Sequence, residues 1–175
     1  MLDWPSVKRT ILLAFFLCLF AGTLARATTV EPLALEDLVK RAHHIVSGKV
    51  RNSRTYWSAD RALILTSYAL EIDESIKGRP PRALELTTIG GKIGDLELHV
   101  SGMPSFAKDE NVIVFTESSG PYEVVIGLGQ GKFTLENGEV FNDVTGLSFP
   151  NGRPAKPMKL PIEIFKRQIR TILTR

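Results

Sequence analysis

The side chains that could do chemistry in this chain are few: three histidines, one cysteine, and a group of arginines interleaved with aromatics. His43 and His44 are adjacent, and exported proteins often meet zinc or copper, which imidazole ligates well. Neighbouring residues on a helix or strand point in different directions, however, and a structural site needs about four converging ligands. His99, the third histidine, falls in a different predicted strand. His43 and His44 are therefore weak candidates for metal, and the simpler reading is a histidine pair at a helix end, whose charge suits the C-terminal dipole. A Ser-His-Asp hydrolase needs nucleophile, base and orienting acid within reach of one another. No Gly-x-Ser-x-Gly elbow is present, and His99 lies on the polar face of its strand, so it is read as solvated. Gly90-Gly91-Lys92-Ile93-Gly94 and Gly127-x-Gly129-x-Gly131 lack the strand-to-helix setting of phosphate-cradling loops. They are read as bends and turns, no catalytic residue is assigned, and no cofactor is expected.

The remaining group is Arg51, Arg54, Tyr56, Trp57 and Arg61, set around one predicted hairpin. On a β-barrel such residues can stack bases or sugar rings on the aromatics while the guanidinium groups grip anions. The alternative is that Tyr56 and Trp57 cover an open end of the barrel and the arginines are solvated. These five are the candidate ligand-binding residues.

The elements that must position them begin after an address. Lys8 and Arg9, the apolar run Ile11 to Leu24, and Ala25-Arg26-Ala27 have the layout of a cleaved signal peptide over residues 1–27. The run is short for a membrane span, no second one follows, and the mature chain is expected to start at Thr28. Cleavage would remove three of the 22 basic residues, one of the 19 acidic ones, and Cys18, the only cysteine. A near-neutral, cysteine-free domain over 28–175 would remain, with no disulfide, no thiol nucleophile and no charge-based case for nucleic acid. Its length suffices for one self-supporting core.

Within it, Leu35, Leu38, Val39 and Ala42 fall at helical spacing, and this short helix is expected to cap one end of a barrel. Val46, Gly48 and Val50 then alternate with polar residues as a strand that pairs across the Ser58–Arg61 turn with a longer one. From Ala62 to Ile76 the even positions are mostly apolar, and a strand of that length would run to roughly 50 Å against the usual 17–20 Å. It has to curl, around a small barrel or between two sheets. Gly48, inside a strand, marks a tight bend or close backbone approach. Further strands are read at Leu84–Thr88, Leu96–Val100, Val112–Phe115, Tyr122–Ile126 and Lys132–Glu136, with a hairpin at Asn137-Gly138. Phe106 is a plug, Val112–Phe115 is covered on both faces, residues 142–159 are irregular, and a C-terminal helix occupies 160–174. The fold class is mainly β: an antiparallel OB-like barrel with a short N-terminal helix and an amphipathic C-terminal one.

Taken together, ALEDLVKRAHHIVSGKV, Tyr56-Trp57, the long strand ending ESIKG, GMPSF, NVIVFTE and GLGQGKF resemble a family of bacterial exported proteins of unassigned function. More distantly the pattern is similar to the netrin-like module of tissue inhibitors of metalloproteinases, in which a V-x-G-x-V strand pairs with a long strand ending K-G. The resemblance implies a helix-flanked barrel. It does not carry over metalloproteinase inhibition, because those inhibitors chelate zinc through an amino-terminal cysteine that the mature chain lacks.

The function expected is an exported, periplasmic or extracellular, non-enzymatic binding module for a protein or cell-surface polymer, working from the barrel mouth near Trp57 and the Gly90–Phe106 loops. Two alternatives stand beside it. One is a small exported hydrolase or metal-dependent enzyme using His43, His44 or His99; the other is a structural envelope protein that self-associates through a sheet edge.

Overall fold

The computed structural model describes residues 28–150 and 155–175; the signal peptide expected over 1–27 lies outside the described residues. The chain is mainly β, with a helix near each end of the described part. β1 (Thr28–Thr29) precedes α1 (Leu35–Arg41), then come β2 (His44–Trp57), β3 (Ile64–Lys77), β4 (Ala83–Ile89), β5 (Gly91–Ile93) and β6 (Leu96–Leu98). β7 (Asn111–Ser119), β8 (Tyr122–Val125), β9 (Lys132–Glu136), β10 (Glu139–Phe141), β11 (Leu147–Ser148), β12 (Lys159–Pro161) and α2 (Ile162–Leu173) follow.

One sheet runs in the order β12-β10-β9-β7-β2-β3-β4-β8, and β8 also pairs with β7. The strands β7, β2, β3, β4 and β8 therefore form a ring. Its seam is the thinnest join, a parallel contact of β4 with β8 at Leu86 and Glu123, whereas β7 and β8 are an antiparallel hairpin. The curl that the length of β3 demanded comes from three register shifts in the β2–β3 pairing, the last between Val50 and Asn52. At Gly48 the two strands approach so closely that a Cβ would overlap the Glu71 carbonyl oxygen and lie 3.1 Å from Ile72 Cα.

Period-two alternation on β2 and β7 divides the core into two. Val46, Val50, Val112 and Val114 face into the ring with Tyr68, Leu70, Leu84, Leu86 and Val125, and Phe106 enters from a loop, its ring 4.8 Å from that of Tyr68. Ile45, Ile113 and Phe115 face outward and meet Phe133, Val140, Phe165 and Ile169 with Leu38 and Val39 of α1. This explains why Val112–Phe115 is apolar without a break: each face of β7 belongs to a different core. It also corrects the role expected of α1. Rather than capping an end of the ring, α1 packs beside α2 on the outer wall, because its apolar stripe meets Ile45 and Phe115 and not the inward valines.

Two further expectations are revised. Leu96–Leu98 does not join the main sheet; among the described residues it pairs only with β5, formed within the expected glycine connection, and Leu96 is exposed at 59%. In the stretch 142–159, β11 pairs in parallel with β1, and Asn142 bonds the Met158 N–H at 2.6 Å and the Gln130 carbonyl at 3.3 Å. Asn137 and Gly138 both take positive φ, the geometry of a tight primed hairpin turn.

Candidate functional site

β2 and β3 remain paired as far as Trp57 and Ile64, whereas β7 leaves β2 at Lys49 and Asn111. The outer part of β2 is thus a rib, supported by β3 on one side and paired with no described residue on the other. The five candidate ligand-binding residues lie on this rib, but the structure does not bring them together. Arg51 is engaged with Glu71 and, at 3.5 Å, with Asp109. Arg54 is exposed and stacks over the Tyr56 ring, 5.0 Å from its centre. Trp57 follows Tyr56 directly and so projects to the opposite face, where it is 37% exposed. Arg61 stands in the turn at positive φ. The expectation of one mixed cluster misses this alternation: Arg54 and Tyr56 occupy the outer wall, and Trp57 occupies the face that leads to the ring interior.

The outer wall is ordered across three strands. Tyr56 lies beside Leu65, and Leu65 beside Ile89; Arg54 lies beside Ser67, whose hydroxyl bonds Glu85. Asn52, Ser53, Arg54, Ser67, Ala69 and Glu85 line a shallow groove there. Leu63 and Ile89 add exposed apolar surface at the same end. The wall therefore offers a cation stacked on an aromatic ring, an apolar patch and a carboxylate, all carried by paired strands.

The Gly90–Phe106 loops fill the adjoining end of the ring. A cleft of about 220 Å³ runs among Tyr68, Thr88, Gly91, His99 and Pro104, and a neighbouring one of about 380 Å³ is lined by His99, Ser101, Ser105, Lys132 and Asp143. His99 is exposed, as expected of a polar-face residue. Lys132 is committed to Glu110 at 2.8 Å and to the Ser105 carbonyl, with its ammonium over Phe106, so it fastens the loop rather than awaiting a ligand.

The opposite end holds a polar cluster that the sequence did not signal. His44 is not on the helix end but opens β2, and its Nδ1 donates to Glu123 Oε1 at 3.0 Å. Glu123 also accepts from Thr116 at 2.5 Å and from Ser118 at 3.1 Å, and Ser118 meets His43 at 3.2 Å. Burial pushes the Glu123 carboxyl up, but bonds from Thr116, His44 and Ser118 outweigh it and hold the group below its ordinary value. A hydrolytic triad needs imidazole between hydroxyl and acid. Here the carboxylate stands between Ser118 and His44, and His43, which reaches Ser118, bonds no carboxylate among the described residues, so no imidazole links the serine to an acid. The His43 and His44 rings lie 6.4 Å apart at 71°, and no three His, Cys, Asp or Glu side chains among the described residues could hold a metal. Partners more than 70 residues away gave no periodic signal; the only hint was the polar run Glu117–Ser119 after an apolar strand.

A cavity of about 650 Å³ lies beside α1, walled by Leu33, Leu38, Phe133, Val144, Phe149 and Met158. Gln130 and Asn142 reach it, but both spend their amides on backbone: Gln130 accepts from Leu33 N–H and donates to the Glu31 and Gly127 carbonyls. Lys156 stands at its edge, exposed and without a partner among the described residues.

The chain matches no protein-family model, no curated protein and no solved structure.

Proposed function

We propose that this is an exported, non-enzymatic binding module that takes a protein or cell-surface polymer on the outer wall of β2, β3 and β4. The observation that carries the reading is the Arg54–Tyr56 stack, an exposed arginine over a half-buried tyrosine, held on paired strands beside a polar groove and an apolar patch. Support for the finer fold reading, an OB-like and netrin-like barrel, comes from the five-membered ring with its one thin seam. In barrels of that kind the second and third strands and the first hairpin loop carry the ligand. Here those are β3, β4 and Ser58–Leu63, next to Arg54 and Tyr56. The export leader read in the sequence over 1–27 supports a partner in the periplasm or outside the cell.

Capture from envelope extract and growth medium tests the reading, with the chain from Thr28 as bait. Tyr56→Ala and Arg54→Ala should lose the partner while keeping the wild-type melting temperature. Trp57→Ala, on the other face, should lose less. Equal capture by all three variants would remove the outer wall as the site.

A second reading rests on the apolar cavity, whose volume lies in the range of small-molecule sites. An amphiphile could bury its chain there and set an anionic head against Lys156. Displacement of a fluorescent fatty acid, weakened by Lys156→Gln, would favour it; no saturable binding would dismiss it.

A further inference from the structure

The hydrogen-bond phase along the rib can be fixed from its ends. Ser58 N–H bonds the Leu63 carbonyl at 2.8 Å, so that pair is a bonded one. Bonded and non-bonded pairs alternate in an antiparallel ladder, hence Tyr56/Leu65 and Arg54/Ser67 are also bonded, while Trp57/Ile64, Thr55/Thr66 and Ser53/Tyr68 are not. Two contacts agree with this phase. The Ile64 carbonyl points away from β2 and accepts from Gly90 N–H at 2.8 Å, and the hydroxyls of Thr55 and Thr66 meet at 3.1 Å, as the closer non-bonded pairs allow. It follows that the N–H and C=O groups of Ser53, Thr55 and Trp57 point out of the open edge. The pairing that covers β2 on that side ends at Val50, which bonds Glu110 and Asp109, and no described residue bonds the edge beyond it.

We propose that this edge pairs with the same edge of a second copy, antiparallel and centred on Thr55. The rib is self-complementary in that register. Thr55 meets Thr55 of the second copy and Ser53 meets Trp57, so all three outward residues are used and about six backbone hydrogen bonds form. On the outer wall Arg54 then faces Tyr56 of the second copy in a close, non-bonded pair, repeating across the junction the stack already made within the chain. The register one step lower sets Arg54 against Arg54, which like-charge repulsion opposes. The pairing joins two sheets into one without covering the outer wall, and it goes beyond the ligand reading without depending on it.

Single cysteines test it in the full chain carrying Cys18→Ser, which has no other thiol. Bonded antiparallel pairs have Cα atoms about 5.5 Å apart, within disulfide reach. Under mild oxidation Thr55→Cys should form a homodimer at least about tenfold faster than Thr171→Cys on α2, as a raised local concentration requires. A mixture of Ser53→Cys and Trp57→Cys should cross-link to the mixed dimer faster than either variant alone. Equal rates for Thr55→Cys and Thr171→Cys, or Ser53→Cys and Trp57→Cys reacting as fast alone as together, would overturn the proposal. Sedimentation of the Cys18→Ser chain without any introduced cysteine should show a dimer that grows with concentration. A monomer throughout would overturn the proposal equally, whatever the cysteine variants do.

Discussion

Substituting Gly48 by alanine would strike the place where the β2–β3 rib is anchored to the ring. The added Cβ would overlap the Glu71 carbonyl oxygen and approach Ile72 Cα to 3.1 Å. Those are main-chain atoms, so no side chain can swing aside, and the strands would have to part by about 1 Å to restore ordinary contact. Overpacking of this kind costs about 1–3 kcal/mol, and stretching one or two adjacent ladder bonds adds about 1 kcal/mol each. A loss of roughly 2–5 kcal/mol, at about 2–4 °C per kcal/mol for a domain of this size, lowers the melting temperature by roughly 4–20 °C. Circular dichroism melting of wild type and Gly48→Ala would read it, with Gly120→Ala as a comparison, because a Cβ there meets nothing within 4 Å. Gly120 has positive φ, so its cost is confined to about 1–2 kcal/mol of backbone strain. A Gly48→Ala melt no lower than that of Gly120→Ala would refute the close crossing of β2 and β3.

Other expected outcomes concern charge. Lys132 and Glu110 are each about 14% exposed, and Glu110 also bonds Thr134 and the Ala107 N–H, so Lys132→Ala should cost about 3 kcal/mol in chemical denaturation. Lys159→Ala, which breaks the exposed pair with Glu139, should cost less than about 1 kcal/mol. The pH dependence has a definite sign. Glu74 is held below its ordinary value of 4.5 by Lys166, with Arg170 assisting against partial burial, and Glu123 is held below the same value. Carboxyls depressed in the folded state contribute fully above the unfolded value and lose that contribution as pH falls through the folded one. Melting temperature should therefore not decline on account of these two groups between pH 7 and 5, and should drop below about pH 4.5. Glu123→Gln should be less stable than wild type at pH 7 and converge on it in acid; a gap unchanged down to pH 3 would contradict the role assigned to that carboxylate.

Local pattern carried the reading of the strands, and distant pairing limited it. The β2–β3 hairpin, Gly48, the turn at Asn137-Gly138, Phe106 and the stripe of α2 were legible because each is a matter of period or turn chemistry over a few residues. The unbroken apolar run at Val112–Phe115 showed that both faces of β7 are covered, but not that two separate cores cover them. Placement of α1 on the outer wall depends on which face of β2 meets which helix, and that is decided by β7 and β9, roughly 70 to 100 residues later. The same limit hid the Glu123 cluster. The division of Arg54 and Tyr56 from Trp57 was implicit in strand alternation, but the interleaved composition drew the five residues into one group. On α2, Lys166 and Arg170 look like a free basic flank in sequence, whereas both are spent on Glu74 of β3, at 2.6 and 2.7 Å.

On the proposed reading the outer wall of β2–β4 receives a partner, and the filled ring end and the cavity beside α1 do not. Hydrogen–deuterium exchange of the captured complex against the free chain tests this most directly. New protection is expected over residues 52–57, 63–69 and 85–89 together. Protection confined to 99–105 and 143–146, or to 32–38 and 155–158, would contradict it.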